Sequence, residues 1–168
     1  QQNVQQEYVY DGHQMTLVIE SDTDLGGQIE TRQSTSGVIA YLDGHIIHWL
    51  AKTERMVFNG TTKAEYVGLT RSNALGKHIT VILEFFGNKL GREYLLRCDN
   101  QAAEHLVTQP NMSESGRAID LRYHSIRQDY ADGRMRVGGV KSTDNRSDIC
   151  TKYLQPPLHE AHSAPLFE

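Results

Sequence analysis

The chain has only two cysteines, Cys98 and Cys150, too few for a disulfide framework. Reduced thiols in an intracellular protein are therefore expected. No apolar run approaches the roughly 18–20 residues of a membrane span. The longest, HITVILEFFG over 78–87, carries Glu84 and reads as the inner face of a helix. Positive charge is not in excess: the formal net charge is −4, which argues against a strongly basic nucleic-acid grip. That objection weakens if carboxylates cluster around cations, since two divalent ions would cancel the formal charge. No charged-then-apolar leader opens the chain, which starts on Gln1 and is expected to be excised from something longer. There is no internal repeat. Nor is there a His-Glu-x-x-His zinc motif, for HEAH at 159–162 is one residue short and lies in a proline-flanked stretch.

What is present describes a folded domain. Hydrophobic residues make up 38% and charged residues 23% of 168, enough for one domain with a substantial core. MTLVIESDT reads as a strand ending in a polar turn. STSGVIAYLDGHIIHWLAK reads as two strands split by Asp43-Gly44, a hairpin signal. From Thr62 to Phe86, apolar residues recur at mostly three- and four-residue steps, a helical period that GNKLG ends. EYLLRCDN is then a short buried strand, followed by helices over QAAEHLVTQ and AIDLRYHSIRQDYADG. RMRVGGV is a weaker strand, and TDNRSDICTKYL opens like a capped helix. The expected organisation is an N-terminal extension over 1–14, a domain over 15–155 and a loose tail over 156–168. A leading antiparallel meander followed by alternating helices and strands predicts an α/β fold with a mixed sheet and helices on both faces.

Four acids fall at junctions of this order. Asp22 ends the first strand, Asp99 ends the fourth, and Asp148 opens the last helix. Strand ends and helix starts are where open α/β sheets collect ligands. Glu65, in TTKAEYVGL, follows Thr62 by three residues, the spacing of a capping box. Alone, each acid has a plainer use: Glu65 as a cap, Asp99 as an N-cap, Asp148 on a helix dipole, Asp22 in a turn. Parallel first and fourth strands would set Asp22 beside Asp99, the long helix laid across them could offer Glu65, and the last helix, with Asp148, is expected to converge on the same place. Such a cluster needs cations, and hard oxygen donors suit Mg²⁺ or Mn²⁺. Two such ions can activate water and steady a leaving oxygen in phosphodiester cleavage.

SDTDLGG, DTDLGGQIETRQSTSGVIAYLDG, TTKAEYVGL, CDNQAA, IDLRYHSIR and SDICTKYL stand in this order between about Met15 and Leu154. In these segments the chain resembles the ribonuclease H domain of Ty1/copia-type retrotransposon polyproteins. The resemblance implies an RNase H-like fold, a five-stranded mixed sheet of three antiparallel strands and parallel additions. It also implies hydrolysis of the RNA strand of RNA–DNA hybrids with two Mg²⁺ or Mn²⁺ ions. The reverse transcriptase domain of the same polyprotein is an implied partner, and no membrane is. The expected setting is intracellular, in a cytoplasmic particle or the nucleus. The resemblance carries a catalytic and metal-binding set onto Asp22, Glu65, Asp99 and Asp148. Asp22 and Asp99 would hold both ions, Glu65 the one at the leaving group and Asp148 the one that activates water.

Beyond the acids, Thr62, Asn100 and Gln101 are candidates for contacts that sense the 2′-hydroxyl. Arg32, Ser34, Lys63 and Arg71 are candidates for phosphate contacts. Leu25-Gly26 replaces the family's Trp-Ala, Lys63 replaces a Glu, and Arg117-Ala118 replaces Lys-His. These departures keep a second reading open, a degenerate or host-adopted module that binds nucleic acid or a protein without cleaving. A DNA nuclease or integrase-like core ranks third. His48 is expected to be packed or surface-exposed and His124 to serve structural hydrogen bonding, and KSTDNRSD offers no histidine before the last acid.

Overall fold

The computed structural model describes residues 14–27, 30–55, 58–111, 119 and 123–164. Its strands are β1 (Leu17–Asp24), β2 (Thr35–Leu42), β3 (His45–Thr53), β4 (Tyr94–Cys98) and β5 (Met135–Gly139). They form one sheet in the order β3-β2-β1-β4-β5. β1 pairs antiparallel with β2 and parallel with β4, and β5 extends the sheet in parallel from β4. The expected five-stranded mixed sheet is therefore present. Asp43 and Gly44 both adopt positive φ, 50° and 85°, which sets the tight β2–β3 hairpin.

The long helix α1 spans Thr61–Phe85. Its N-cap is Gly60, with no side-chain cap, so Thr62 and Glu65 do not form a capping box. It ends where Gly87 takes φ 77° and its N–H reaches the Glu84 carbonyl at 3.0 Å. α2 (Gln101–Thr108) and α3 (Ser125–Ala131) follow the alternation read from the sequence. Ile19, Val38, Ala40, Tyr66, Leu69, Leu96, Leu106, Ile126 and Met135 form one buried core between sheet and helices.

Two stretches differ from expectation. Arg146–Cys150, read as the start of an α-helix, is a 3-10 turn. Pro156–Ser163, read as loose tail, is helix α4, with His162 buried. Proline at the first helical positions has no N–H to lose there and a φ already suited to the helix. The departures noted at Arg117 and Ala118 lie outside the described residues.

The pleat sorts the site. Leu17, Ile19, Val38 and Ala40 join the core, so Asp22 and Gly37, on the alternate positions, face the other side. There the 3-10 turn meets the sheet. A Cβ on Gly37 would stand 2.7 Å from the Cys150 and Thr151 side chains and 2.8 Å from the Ser147 carbonyl. Only glycine allows that approach.

Candidate active site

Asp22 stands near the end of β1, buried to 1% exposure. The β1–β4 register sets Glu20 opposite Arg97. Carried two residues further, it brings Asp99, just past β4, alongside Asp22. Glu65 arrives from the second turn of α1. That helix comes close because Gly68 lies under the Thr23 hydroxyl, where a Cβ would stand at 2.7 Å. Carboxylate oxygens of Asp22, Glu65 and Asp99 lie within 4.8 Å of one another, a grouping able to hold a metal ion.

Asp148 is buried on the 3-10 turn but is not a member of that three-residue group. It is joined to Asp22 by Lys152, whose Nζ lies 3.0 Å from Asp22 Oδ1 and 3.0 Å from Asp148 Oδ1. Thr151 Oγ1 donates to the other oxygen of Asp22. The turn itself is tied to β1 by Asn145, fully buried, whose Nδ2 donates to the Ser21 carbonyl at 3.2 Å. Asn145 Oδ1 accepts from Ser147 Oγ at 2.6 Å.

The electrostatics fit a site built for cations. Burial, with the charges of Asp22 and Asp99, pushes the Glu65 carboxyl up to about 9. The Thr23 amide and Lys152 oppose that shift without cancelling it. Burial and Asp22 likewise push Asp148 up to about 6, against the pull of Lys152. For Lys152, burial favours the neutral amine, but Asp22 and Asp148 outweigh it and raise its value, fixing the ammonium form. Glu65 Oε1 accepts the Thr23 N–H at 3.2 Å, whereas Glu65 Oε2 is buried with no hydrogen-bond partner. An orphaned oxygen on a carboxylate grouped with two other acids is the fit expected of a divalent-ion ligand.

Behind Glu65 runs a polar chain. Thr23 Oγ1 lies 3.3 Å from Ser36 Oγ, which donates to buried Glu54 at 2.7 Å, and Arg71 pairs with the other Glu54 oxygen. Arg71, a candidate for phosphate, is thus engaged inside the protein. Ser34, another, is fully buried and accepts the Gly26 N–H at 3.1 Å. Arg32 is exposed at φ 55°. Asn100 is the N-cap of α2, its Oδ1 accepting the Ala103 N–H at 3.0 Å, which leaves Asp99 free of capping. Gln101 is exposed at the first position of α2. Thr62 and Lys63 line a groove of about 520 Å³ with Asn59, Ala102, His105 and Gln109. His124 bonds to the Tyr66 hydroxyl at 2.9 Å and to the Ile119 carbonyl at 3.2 Å, a structural use as expected.

Sequence reasoning missed Lys152, Thr151, Asn145 and Gly37. Lys152 does follow Asp148 by four residues, and that spacing was the one available signal.

Comparison with known proteins gives the lineage. No family model matches the chain. It is 32% identical over 143 residues to the Retrovirus-related Pol polyprotein from transposon RE1 of Arabidopsis thaliana, covering 85% of this chain and 10% of that one. It is 33% identical over 137 residues to the Pol polyprotein from transposon TNT 1-94 of Nicotiana tabacum, covering 80% and 10%. This chain is a homologue of Ty1/copia-type retrotransposon Pol polyproteins. It spans about a tenth of the length of these relatives. Among solved structures it is similar to LC11-RNase H1 from compost, with a TM-score of 0.55 and 12% identity over 81% of this chain and 92% of that one. The N-terminal RNase H domain of a Mycobacterium tuberculosis protein gives a TM-score of 0.51 and 14% identity over 89% and 97%. The Pol homologue therefore has the RNase H fold. Among its described residues no helix is long and apolar enough to cross a membrane.

Proposed function

We propose that this chain is a metal-dependent ribonuclease H that hydrolyses the RNA strand of RNA–DNA hybrids during retrotransposon reverse transcription. The observation that carries the proposal is the meeting of Asp22, Glu65 and Asp99 within 4.8 Å, with Glu65 Oε2 buried and unpartnered. Oxygen donors without sulfur or imidazole suit Mg²⁺ or Mn²⁺. Asp22, Glu65 and Asp99 would hold the first ion, and Asp148 with Asp22 the second. Bound divalent ions supply Lewis-acid activation of water and charge stabilisation at the leaving oxygen. Water oxygen bonds to the RNA phosphorus as the P–O3′ bond breaks and a proton of that water passes to O3′, leaving a 3′-hydroxyl and a 5′-phosphate.

The protein's part is placement. Thr23 fixes one oxygen of Glu65, and Asn145 and Gly37 set the depth of the turn that carries Asp148. The groove lined by Thr62 and Lys63 lies next to Glu65 in the chain and takes the hybrid, with Asn100 and Gln101, which follow Asp99 in the chain, sensing the 2′-hydroxyl. Arg32 offers a further phosphate contact from its exposed position. A hybrid as ligand is supported by LC11-RNase H1, which shares the fold with a TM-score of 0.54 in a structure with an RNA/DNA hybrid. The setting is intracellular, in a particle or the nucleus, beside the reverse transcriptase domain of the same polyprotein.

A labelled RNA–DNA hybrid, incubated with the chain and Mg²⁺ or Mn²⁺ beside an Asp99→Asn variant, tests the proposal. Cleavage of the RNA strand that the variant loses is the expected result. Hybrid binding without cleavage in either metal would favour the non-cleaving module, a reading that Lys152 between two of the acids keeps open. Cleavage of duplex DNA would place the chain with DNA nucleases.

A further inference from the structure

The cation between Asp22 and Asp148 is the chain's own. Lys152 Nζ is 3.0 Å from one oxygen of each acid, and its side chain is 35% exposed, while the two carboxylates are 2% and 9% exposed. Asp22 thus takes part in two groupings, one with Glu65 and Asp99, among which Glu65 Oε2 has no hydrogen-bond partner, and one with Asp148, with which it shares an ammonium. The two groupings are not equivalent. An ion arriving at the first meets an unsatisfied acceptor. An ion arriving at the second must break two formed ion pairs.

Resting on the metal-dependent reading above, we propose that Lys152 is a resident counter-ion in the second cation position. The site takes its first divalent ion at Asp22, Glu65 and Asp99, and a second only by displacing Lys152 from Asp148. The exchange is simple: one ammonium leaves the two carboxylates and one divalent ion enters, with no covalent change. A lysine suits this task, since its four-carbon stem is flexible and its head returns readily to water. Without such a charge, the metal-free protein would hold two buried carboxylates against each other. Lys152 is on this account a positioning residue that separates the two binding steps. A lysine that merely pinned the turn to the sheet would act differently, because its removal would loosen Asp148 and weaken metal binding.

The test is a titration of the 168-residue chain with Mn²⁺ alone, followed by calorimetry and by the spin resonance of free Mn²⁺. The wild type is expected to bind one ion tightly and a second at least about tenfold more weakly, the scale of coupling between touching groups. In Lys152→Met the second step tightens by about tenfold and the first stays within about twofold, while Lys152→Arg keeps the wild-type gap. Should Lys152→Met fail to fold without metal, Lys152→Gln retains a donor and removes the charge, and the same tightening is expected. A second step unchanged or weaker in the uncharged variants overturns the counter-ion role, as do two equal steps in the wild type. If no variant and no wild-type protein binds Mn²⁺, the metal-dependent reading itself fails and this inference with it.

Discussion

Gly37 lies directly across the β1–β2 ladder from Asp22, and the turn carrying Asp148 rests on the space where its side chain would be. The last acid is thereby held at the sheet by the absence of a methyl group. In Gly37→Ala the new Cβ would stand 2.7 Å from Cys150 and Thr151 side-chain carbons, so the turn must lift. Overpacking of this kind destabilises by about 1–3 kcal/mol. A displacement near 1 Å at a reacting group lowers turnover by about 100-fold. Hybrid affinity should change little, because the groove at Thr62 and Lys63 belongs to α1 and α2. Chemical denaturation, single-turnover cleavage and binding titration check the three parts.

Glu65→Gln separates chemistry from stability. Glu65 is 5% exposed beside Asp22 and Asp99, and the neutral amide keeps the acceptor for the Thr23 N–H. At pH 7 without metal the variant should melt higher by about 2–4 °C, the shift that about 1 kcal/mol gives at this chain length. Cleavage should fall to the level of Asp99→Asn, and the gain in melting temperature that Mn²⁺ gives the wild type should vanish. A lower metal-free melting temperature would show that the acid stabilises the fold, contrary to the cost that burial and the charges of Asp22 and Asp99 impose on it.

The meeting of Asp22, Asp99 and Glu65 was legible in the sequence because each stands at the end or start of a long, strongly patterned element. Once β1 and β4 are parallel neighbours and α1 crosses them, little freedom remains. The Asp148 region was harder to read. A five-residue 3-10 turn has too few residues to show a period, so Arg146–Cys150 looked like the opening of an α-helix. The contact of Lys152 with Asp22 joins positions 130 apart and depends on the missing side chain of Gly37. No local pattern encodes that. Glu54 and Arg71 were opaque for a related reason, since only the folded sheet turns Glu54 inward to meet the arginine.

Asp129 offers a test of the scaffold away from the site. It is 2% exposed and bonds to Asn73 at 2.7 Å, Lys77 at 2.8 Å and Arg134 at 2.7 Å. Burial pushes its carboxyl up, but the bonds from Lys77, Asn73 and Arg134 outweigh burial and leave it below the usual carboxylate value. A group depressed in the folded state binds its proton more readily in the unfolded chain. Its stabilisation is therefore complete above the unfolded value near pH 4 and fades as pH falls through the folded one. The stability difference between wild type and Asp129→Asn should be constant above about pH 5 and shrink below about pH 4. Urea denaturation at steps between those limits measures it, and a difference that widens on acidification would contradict the assigned partners.

Lys63 tests how the hybrid is held. It lines the groove with Thr62 and His105, in a chain whose formal charge is −4, so few cations are on hand to replace counter-ions on the phosphates. Each phosphate contact contributes about one unit to the slope of log affinity against log salt. Wild-type affinity should thus be modest and fall with salt on a shallow slope. Lys63→Ala should reduce that slope by about one and weaken hybrids of any sequence alike. The comparison is made by binding titration in Ca²⁺, which supports charge neutralisation without turnover, at several salt concentrations. An unchanged slope would remove Lys63 from the phosphate path, and the substrate would then have to enter from the Arg32 side of the acids.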